Sequence, residues 1–206
     1  GIGLFGLGTV GSGVVKILQD NADQIAKRTG THLLVKHAVV NNLEKKRTGF
    51  INNFPITNDA KDILNNPEIQ IVVEVMGTLD QAYKIIKDSL TAKKHVVTAN
   101  KDLIASRGQE LVAIAEANGV DLFFEAAVAG GIPILRTLAN SFTADEISRV
   151  AGIINGTSNF ILTQMTTNKL SYANALQLAQ KKGFAEADPT NDVAGFDAAY
   201  KLIILS

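Results

Sequence analysis

The chain has 206 residues, enough for one large domain or for one complete domain and part of a second. Its twenty basic and twenty acidic side chains cancel, so no global field draws it to nucleic acid or to an anionic membrane surface. It has no cysteine, which excludes disulfides, thiolate metal sites and cysteine nucleophiles.

An apolar fraction of 46% and a charged fraction of 19% are those of a soluble globular protein. His32, His37 and His95 are scattered in or beside strand-like runs, without metal-ligand spacing, and read as structural. No apolar run approaches the roughly 18–20 residues that a membrane span needs. The Gly-rich start carries no basic stretch, so no secretory signal is expected and a cytoplasmic protein is. The chain opens at Gly1 inside a strand-like run and stops at Ser206 inside an apolar helix, which reads as a piece of a longer polypeptide.

Residues 1–126 alternate strand and helix. Ile2–Phe5 is a short apolar strand, Thr9 to about Lys27 has helical periodicity, and Leu33–Val40 is β-branched. The run Ile69–Val75 predicts a buried strand, its period broken only at Glu74. Asp80 is placed to cap a helix over Gln81–Thr91, and His95–Thr98 is the next strand. A helix over Asp102–Asn118 ends on Gly119 before a strand over Val120–Glu125. Such alternation predicts an α/β fold with a doubly wound parallel sheet.

The pattern changes at a boundary near residue 127. Pro133 opens a helix to about Phe142, Ile147–Asn155 predicts a strand, and helices follow over Ser158–Thr167 and Ala173–Lys182. A polar loop over 183–195 leads to a last helix that is apolar almost all round and is therefore expected to be buried.

Gly6-Leu7-Gly8-Thr9-Val10-Gly11 follows a strand and opens a helix, the context that makes a GxGxxG informative. Gly6 makes the turn, Gly8 admits a pyrophosphate, and Gly11 allows close helix–strand packing, as in a Rossmann-type domain. The other reading is a Gly-rich turn without a ligand. An acid expected at the end of the second strand is missing; Asn41-Asn42 stand there, with Lys45, Lys46 and Arg47 behind them. That favours NADP over NAD, unless the basic trio is only a solvated loop.

Lys101 stands at the carboxyl end of the strand His95–Thr98, where open α/β sheets bind their ligands. It is a functional lysine or a surface lysine at a helix start. Asp197 and Lys201 are four apart on the final helix and share a face. They are an ordinary ion pair or, if buried among Phe196, Leu202 and Ile203, a functional one.

These motifs, with Thr98-Ala99-Asn100-Lys101, Glu125-Ala126-Ala127-Val128, Gly130-Gly131-Ile132-Pro133, Asn155-Gly156-Thr157-Ser158-Asn159 and the stretch 183–201, resemble homoserine dehydrogenase. The resemblance runs the whole chain in order. It implies an NAD(P)-binding domain over 1–126 and, over 127–206, the first part of an α+β catalytic and dimerisation domain. It also implies interconversion of L-homoserine and L-aspartate 4-semialdehyde, and a homodimer when full length. By motif position Lys201 is the acid/base, Glu186 and Asp197 hold the substrate, and Lys101 lies between cofactor and substrate. Gly183, Thr78 and the loop Gly6–Gly11 contact the cofactor. Glu125 and the carbonyls of Val128, Gly130 and Ile132 are implied to hold Na⁺, although Glu125 reads equally as a turn-stabilising acid.

Aldehyde reduction needs a hydride donor, a proton donor for the developing alkoxide, and groups that orient the substrate. Lys201 fits as the proton donor, and Glu186 or Asp197 fits the substrate ammonium. Asp188 and Asp192 read as organisers of the loop and caps for the helix. A phosphorylating semialdehyde dehydrogenase is excluded because it needs a cysteine. The competing class is a non-catalytic NAD(P)-binding redox sensor on the same sheet, which has no use for Glu186, Asp197 and Lys201 together.

Overall fold

The structure, a computed structural model, describes residues 1–47 and 49–206 and divides into two compact units, Gly1–Ala127 and Val128–Ser206. In the first, β1 (Ile2–Phe5) leads through α1 (Thr9–Asp20) and α2 (Ala22–Thr29) to β2 (Val35–Val39). Then come β3 (Ile56–Thr57), α3 (Lys61–Leu64), β4 (Ile71–Glu74), α4 (Asp80–Thr91), β5 (His95–Thr98), α5 (Lys101–Asn118) and β6 (Leu122–Phe123). The strands form one sheet in the order β3-β2-β1-β4-β5-β6, every pair parallel. Chain order reverses between β1 and β4, so a crevice opens at their carboxyl ends.

Apolar β-branched strands covered by helices account for this sheet. Ile2, Leu4, Val15, Val35, Ala38 and Val73 form one buried cluster between the sheet and α1. Leu90, Leu103 and Leu111 are fully or almost fully buried on α4 and α5.

Two local expectations need correction here. The helix expected over Thr9–Lys27 is broken at Asn21, whose side-chain amide donates to the Ile17 carbonyl at 3.0 Å. Asp80 is the first residue of α4 rather than its cap, and no side chain caps that helix. The two-residue strand β3 carries too little periodicity to have been read from sequence.

A single turn of helix over Glu125–Ala127 closes the first unit, and the first helix of the second is α6 (Ile134–Ser141). Then follow α7 (Gly156–Thr167), α8 (Tyr172–Lys181), the short α9 (Thr190–Val193) and α10 (Phe196–Leu205). Ile161, Ala175, Ala179 and Ala185 form its core, with Phe160 stacked on Phe184 at 4.5 Å. Asn155 and Ser171 cap α7 and α8 through side-chain oxygens.

Two expectations fail in this unit. Residues 147–155 alternate like a strand but form none, because a strand needs a neighbour for its N–H and C=O groups and the described residues supply none. The final helix α10 has no fully buried residue; Leu202 and Ile203 are 56% and 54% exposed. Its shielded face is the polar one, carrying Asp197 and Lys201 at 13% and 19% side-chain exposure.

Candidate active site

The turn from β1 into α1 is built by glycine. Gly6 has φ +98°, and a Cβ there would lie 2.8 Å from the Val75 carbonyl oxygen. A Cβ on Gly11 would come within 2.0 Å of the Gly6 carbonyl oxygen, so only glycine lets α1 approach the strand this closely. Around Gly8 nothing lies within 4 Å of a Cβ, which leaves the loop face open to a ligand. No side chain caps α1, so its first N–H groups and the positive end of its dipole face that opening. The residues fit a pyrophosphate.

Beyond β2 the loop is organised by Asn42, whose Oδ1 accepts from the N–H groups of Glu44 and Lys45 at 2.9 and 3.0 Å. The Arg47 guanidinium folds back and donates to the Lys45 and Asn42 carbonyls, both at 3.0 Å. Of the basic trio, Lys45 and Lys46 are therefore the exposed cations, while Arg47 braces the loop.

At the ends of β4 and β5 a cleft of about 280 Å³ is lined by Val10, Glu74, Gly77, Ala99, Asn100 and Lys101. Lys101 starts α5, its ammonium 3.2 Å from the carboxylate of Asp102. Asn100 caps α5 by accepting from Leu103 N–H, and its amide donates to the Thr78 carbonyl at 2.8 Å. Thr78 is thereby fixed on the loop that flanks the cleft. Glu74, visible in the sequence only as a break in a strand's period, is a fully buried member of this wall.

The second unit gathers a different cluster. Lys201 Nζ donates to Asp197 Oδ2 and to the Ile154 carbonyl, both at 2.6 Å. The same Asp197 oxygen accepts from Asn155 Nδ2 at 2.8 Å, and Asn155 Nδ2 donates its other proton to Asp192 Oδ1 at 2.8 Å. Asn155 Oδ1 meanwhile accepts from Ser158 N–H at 2.7 Å. Every polar atom of this amide is used, and it bridges two carboxylates that would otherwise repel. The sequence marks Asn155 only as the first residue of the Asn155-Gly156-Thr157-Ser158-Asn159 motif and does not disclose its bridging role, because its partners lie 37 and 42 residues away.

Asp188 does organise its loop, accepting from the N–H and hydroxyl of Thr190. Those bonds hold its carboxyl below the usual carboxylate range, the hydroxyl contributing most. Asp192 is no cap; it ties α9 to the start of α7 through Asn155, while its carbonyl accepts from Ser158 Oγ at 3.1 Å. The loop of Gly183 and Glu186 is pinned by Thr157 Oγ1, which donates to the Phe184 carbonyl at 2.6 Å. Gln180 Nε2 donates to the Glu186 and Ala187 carbonyls at 3.2 and 3.3 Å. The Glu186 side chain itself is exposed, and among the described residues no hydrogen bond or ion pair joins it to the Asp197–Lys201 cluster. In the segment 128–132, Ala129 and Gly131 have φ of +49° and +83°, so the backbone there is irregular.

The sheet order, the glycine cradle and the cleft at the strand ends define a dinucleotide-binding domain of Rossmann type. The chain belongs to the homoserine dehydrogenase family: the family model "Homoserine dehydrogenase, NAD binding domain" matches residues 6–125, and "Homoserine dehydrogenase" matches 133–206. The homoserine dehydrogenase of Bacillus subtilis is 51% identical over 205 residues, covering 100% of this chain and 47% of that protein. The Lactococcus lactis enzyme is 47% identical over 209 residues, covering 100% of this chain and 48% of its own. A solved homoserine dehydrogenase from Thiobacillus denitrificans superposes with a TM-score of 0.92 at 48% identity, over 99% of this chain and 47% of that one. A hyperthermophilic archaeal homoserine dehydrogenase in complex with NADPH matches with a TM-score of 0.79 at 26% identity, over 99% of this chain and 67% of its own. The chain thus spans about half the length of the curated relatives it matches. No helix among the described residues is long and apolar enough to cross a membrane.

Proposed function

We propose that this protein interconverts L-homoserine and L-aspartate 4-semialdehyde with a nicotinamide dinucleotide, NADP in preference to NAD. The observation that carries the reading is the Asn155–Asp197–Lys201 cluster: an ammonium held in a fixed position on an otherwise apolar helix. A non-catalytic redox sensor has no need of it.

Bound NADPH would supply the hydride. The chain's own groups do the rest. The first turn of α1 holds the pyrophosphate, Lys101 contributes to the wall of the cofactor cleft, and Thr78, held by Asn100 on the flanking loop, is assigned to the cofactor by the same reading. Gly183 leaves its loop with φ +77° and is assigned to the cofactor by the same reading. Lys201 gives two of its three N–H donors to Asp197 and Ile154, and its third is assigned to the aldehyde oxygen, protonating the alkoxide that develops there as hydride adds to the carbonyl carbon, so that the product is the alcohol. Asp197 keeps Lys201 aimed, and together with Glu186 it receives the substrate ammonium.

Absence of an acid at the end of β2 and the exposed Lys45 and Lys46 support NADP. Sodium belongs to the same reading, with the carbonyls of Val128, Gly130 and Ile132 as hard oxygen ligands; the positive φ at Ala129 and Gly131 supports it by turning that backbone out of any regular ladder. A homodimeric, cytoplasmic enzyme is part of the same proposal. Oxidation of NADPH by L-aspartate 4-semialdehyde, measured on the full-length polypeptide, tests the proposal. Cofactor binding without turnover contradicts it.

A further inference from the structure

Glu74 ends β4 and is fully buried. A carboxyl group in such a place costs free energy unless its oxygens are hydrogen-bonded. Both are: Oε1 accepts from Met76 N–H at 2.7 Å, and Oε2 accepts from Thr98 Oγ1 at 2.6 Å. Met76 lies on the loop leaving β4, and Thr98 is the last residue of β5. With its proton directed at Glu74, the Thr98 hydroxyl presents a lone pair to Asn100 N–H at 3.0 Å. Asn100 then caps α5 and donates back to the Thr78 carbonyl at 2.8 Å. The relay starts and ends on the same loop and passes along the wall of the cleft beside Lys101.

We propose that Glu74 is the positioning residue of this cleft: through Thr98 and Asn100 it fixes the loops 75–79 and 99–101, between which the nicotinamide half of the dinucleotide is held. This rests on the reading of the first unit as a dinucleotide site. In a sheet of this order the dinucleotide crosses the β1/β4 switch with its adenosine ribose at the end of β2, so the other half lies over β4 and β5. The direction of the relay matters. A carboxylate only accepts, which forces the Thr98 hydroxyl to donate to it and to accept from Asn100. Glutamine offers one acceptor and one donor, and its donor end reverses the relay at Thr98.

The test is equilibrium binding of two ligands to the intact protein and to E74Q, T98V and T98S, with thermal melting alongside. One ligand is NADPH; the other is 2′-phospho-ADP-ribose, the same molecule without its nicotinamide ring. E74Q and T98V should weaken NADPH by about tenfold, the scale of one lost hydrogen bond to a charged group, and leave 2′-phospho-ADP-ribose within about twofold. T98S keeps the hydroxyl and should bind NADPH as the parent does. If E74Q melts too early to assay, T98V and T98S carry the comparison alone. Equal loss for both ligands, or loss for neither, overturns the role of Glu74. A parent protein that binds neither ligand overturns the dinucleotide reading instead, and is told apart by that control.

Discussion

Asp197 and Lys201 stand one helical turn apart with Oδ2 and Nζ 2.6 Å from each other, and Asn155 holds the same carboxylate oxygen from a second helix. A lone surface pair at this spacing contributes a few tenths of a kcal/mol. Here the pair is mostly shielded, and the Asn155 amide and the Ile154 carbonyl restrict both partners. Position, rather than stability, is what this arrangement delivers.

Replacing Asn155 separates those two effects. Asn155→Asp keeps the oxygen that caps α7 but places a third carboxylate against Asp192 and Asp197. Turnover should fall by at least about tenfold, while the loss of the cap itself, typically ~1 kcal/mol, is avoided. Asn155→Ala should lose both, seen as a lower melting temperature as well as lower turnover. Parent-like turnover in Asn155→Asp would contradict the bridging role.

The glycines of the phosphate turn make a sharper contrast. Gly11→Ala puts a Cβ about 2.0 Å from the Gly6 carbonyl oxygen, so the melting temperature should drop before any ligand is added. Gly8→Ala meets nothing within 4 Å, so the fold should keep its melting temperature while NADPH affinity falls. Calorimetry of both variants with and without NADPH checks this; an unchanged affinity in Gly8→Ala removes the pyrophosphate from that face.

Cofactor choice should follow the two exposed lysines. Replacing Lys45 and Lys46 together by alanine should weaken NADPH by about fivefold, ~1 kcal/mol for two solvent-exposed charge contacts, and leave NADH unchanged. The difference should shrink at high salt. Arg47→Ala should disturb both cofactors alike, because Arg47 donates to the loop carbonyls.

How far the sequence reaches is clearest from particular residues. Gly6, Gly8 and Gly11 were legible because strand, turn and helix are contiguous and each glycine answers a local steric demand. Asp197 and Lys201 were legible because a helix brings residues four apart together. Asn155 and Glu74 were not, since their partners come from other elements and no local period encodes them. The apolar sides of α10 and the alternation over 147–155 misled for a related reason. Hydrophobicity records that a surface is suited to a partner, but burial and strand pairing require that partner to be there.

Acid should loosen the loop that carries Glu186. The Asp188 carboxyl is held below its ordinary range by Thr190, so its contribution to stability is present above the unfolded-state value and lost as pH falls through the folded one. Thr190→Val should move the Asp188 titration upward toward that of a free aspartate, read by NMR. Its cost to stability should show at neutral pH and vanish in acid, where both forms are protonated. A titration that does not move would show that the Thr190 hydroxyl is not the cause.

The central claim is that Lys201 is the proton donor, and Lys201→Arg in the full-length polypeptide tests it most directly. Arginine keeps a positive charge beside Asp197 and so retains the ion pair, but it does not release a proton at the pH of the assay. The account predicts a folded protein that binds NADPH like the parent and reduces L-aspartate 4-semialdehyde about 10²–10⁴-fold more slowly. Turnover close to that of the parent would contradict it, and Lys201 would then be a structural partner of Asp197 with the acid elsewhere.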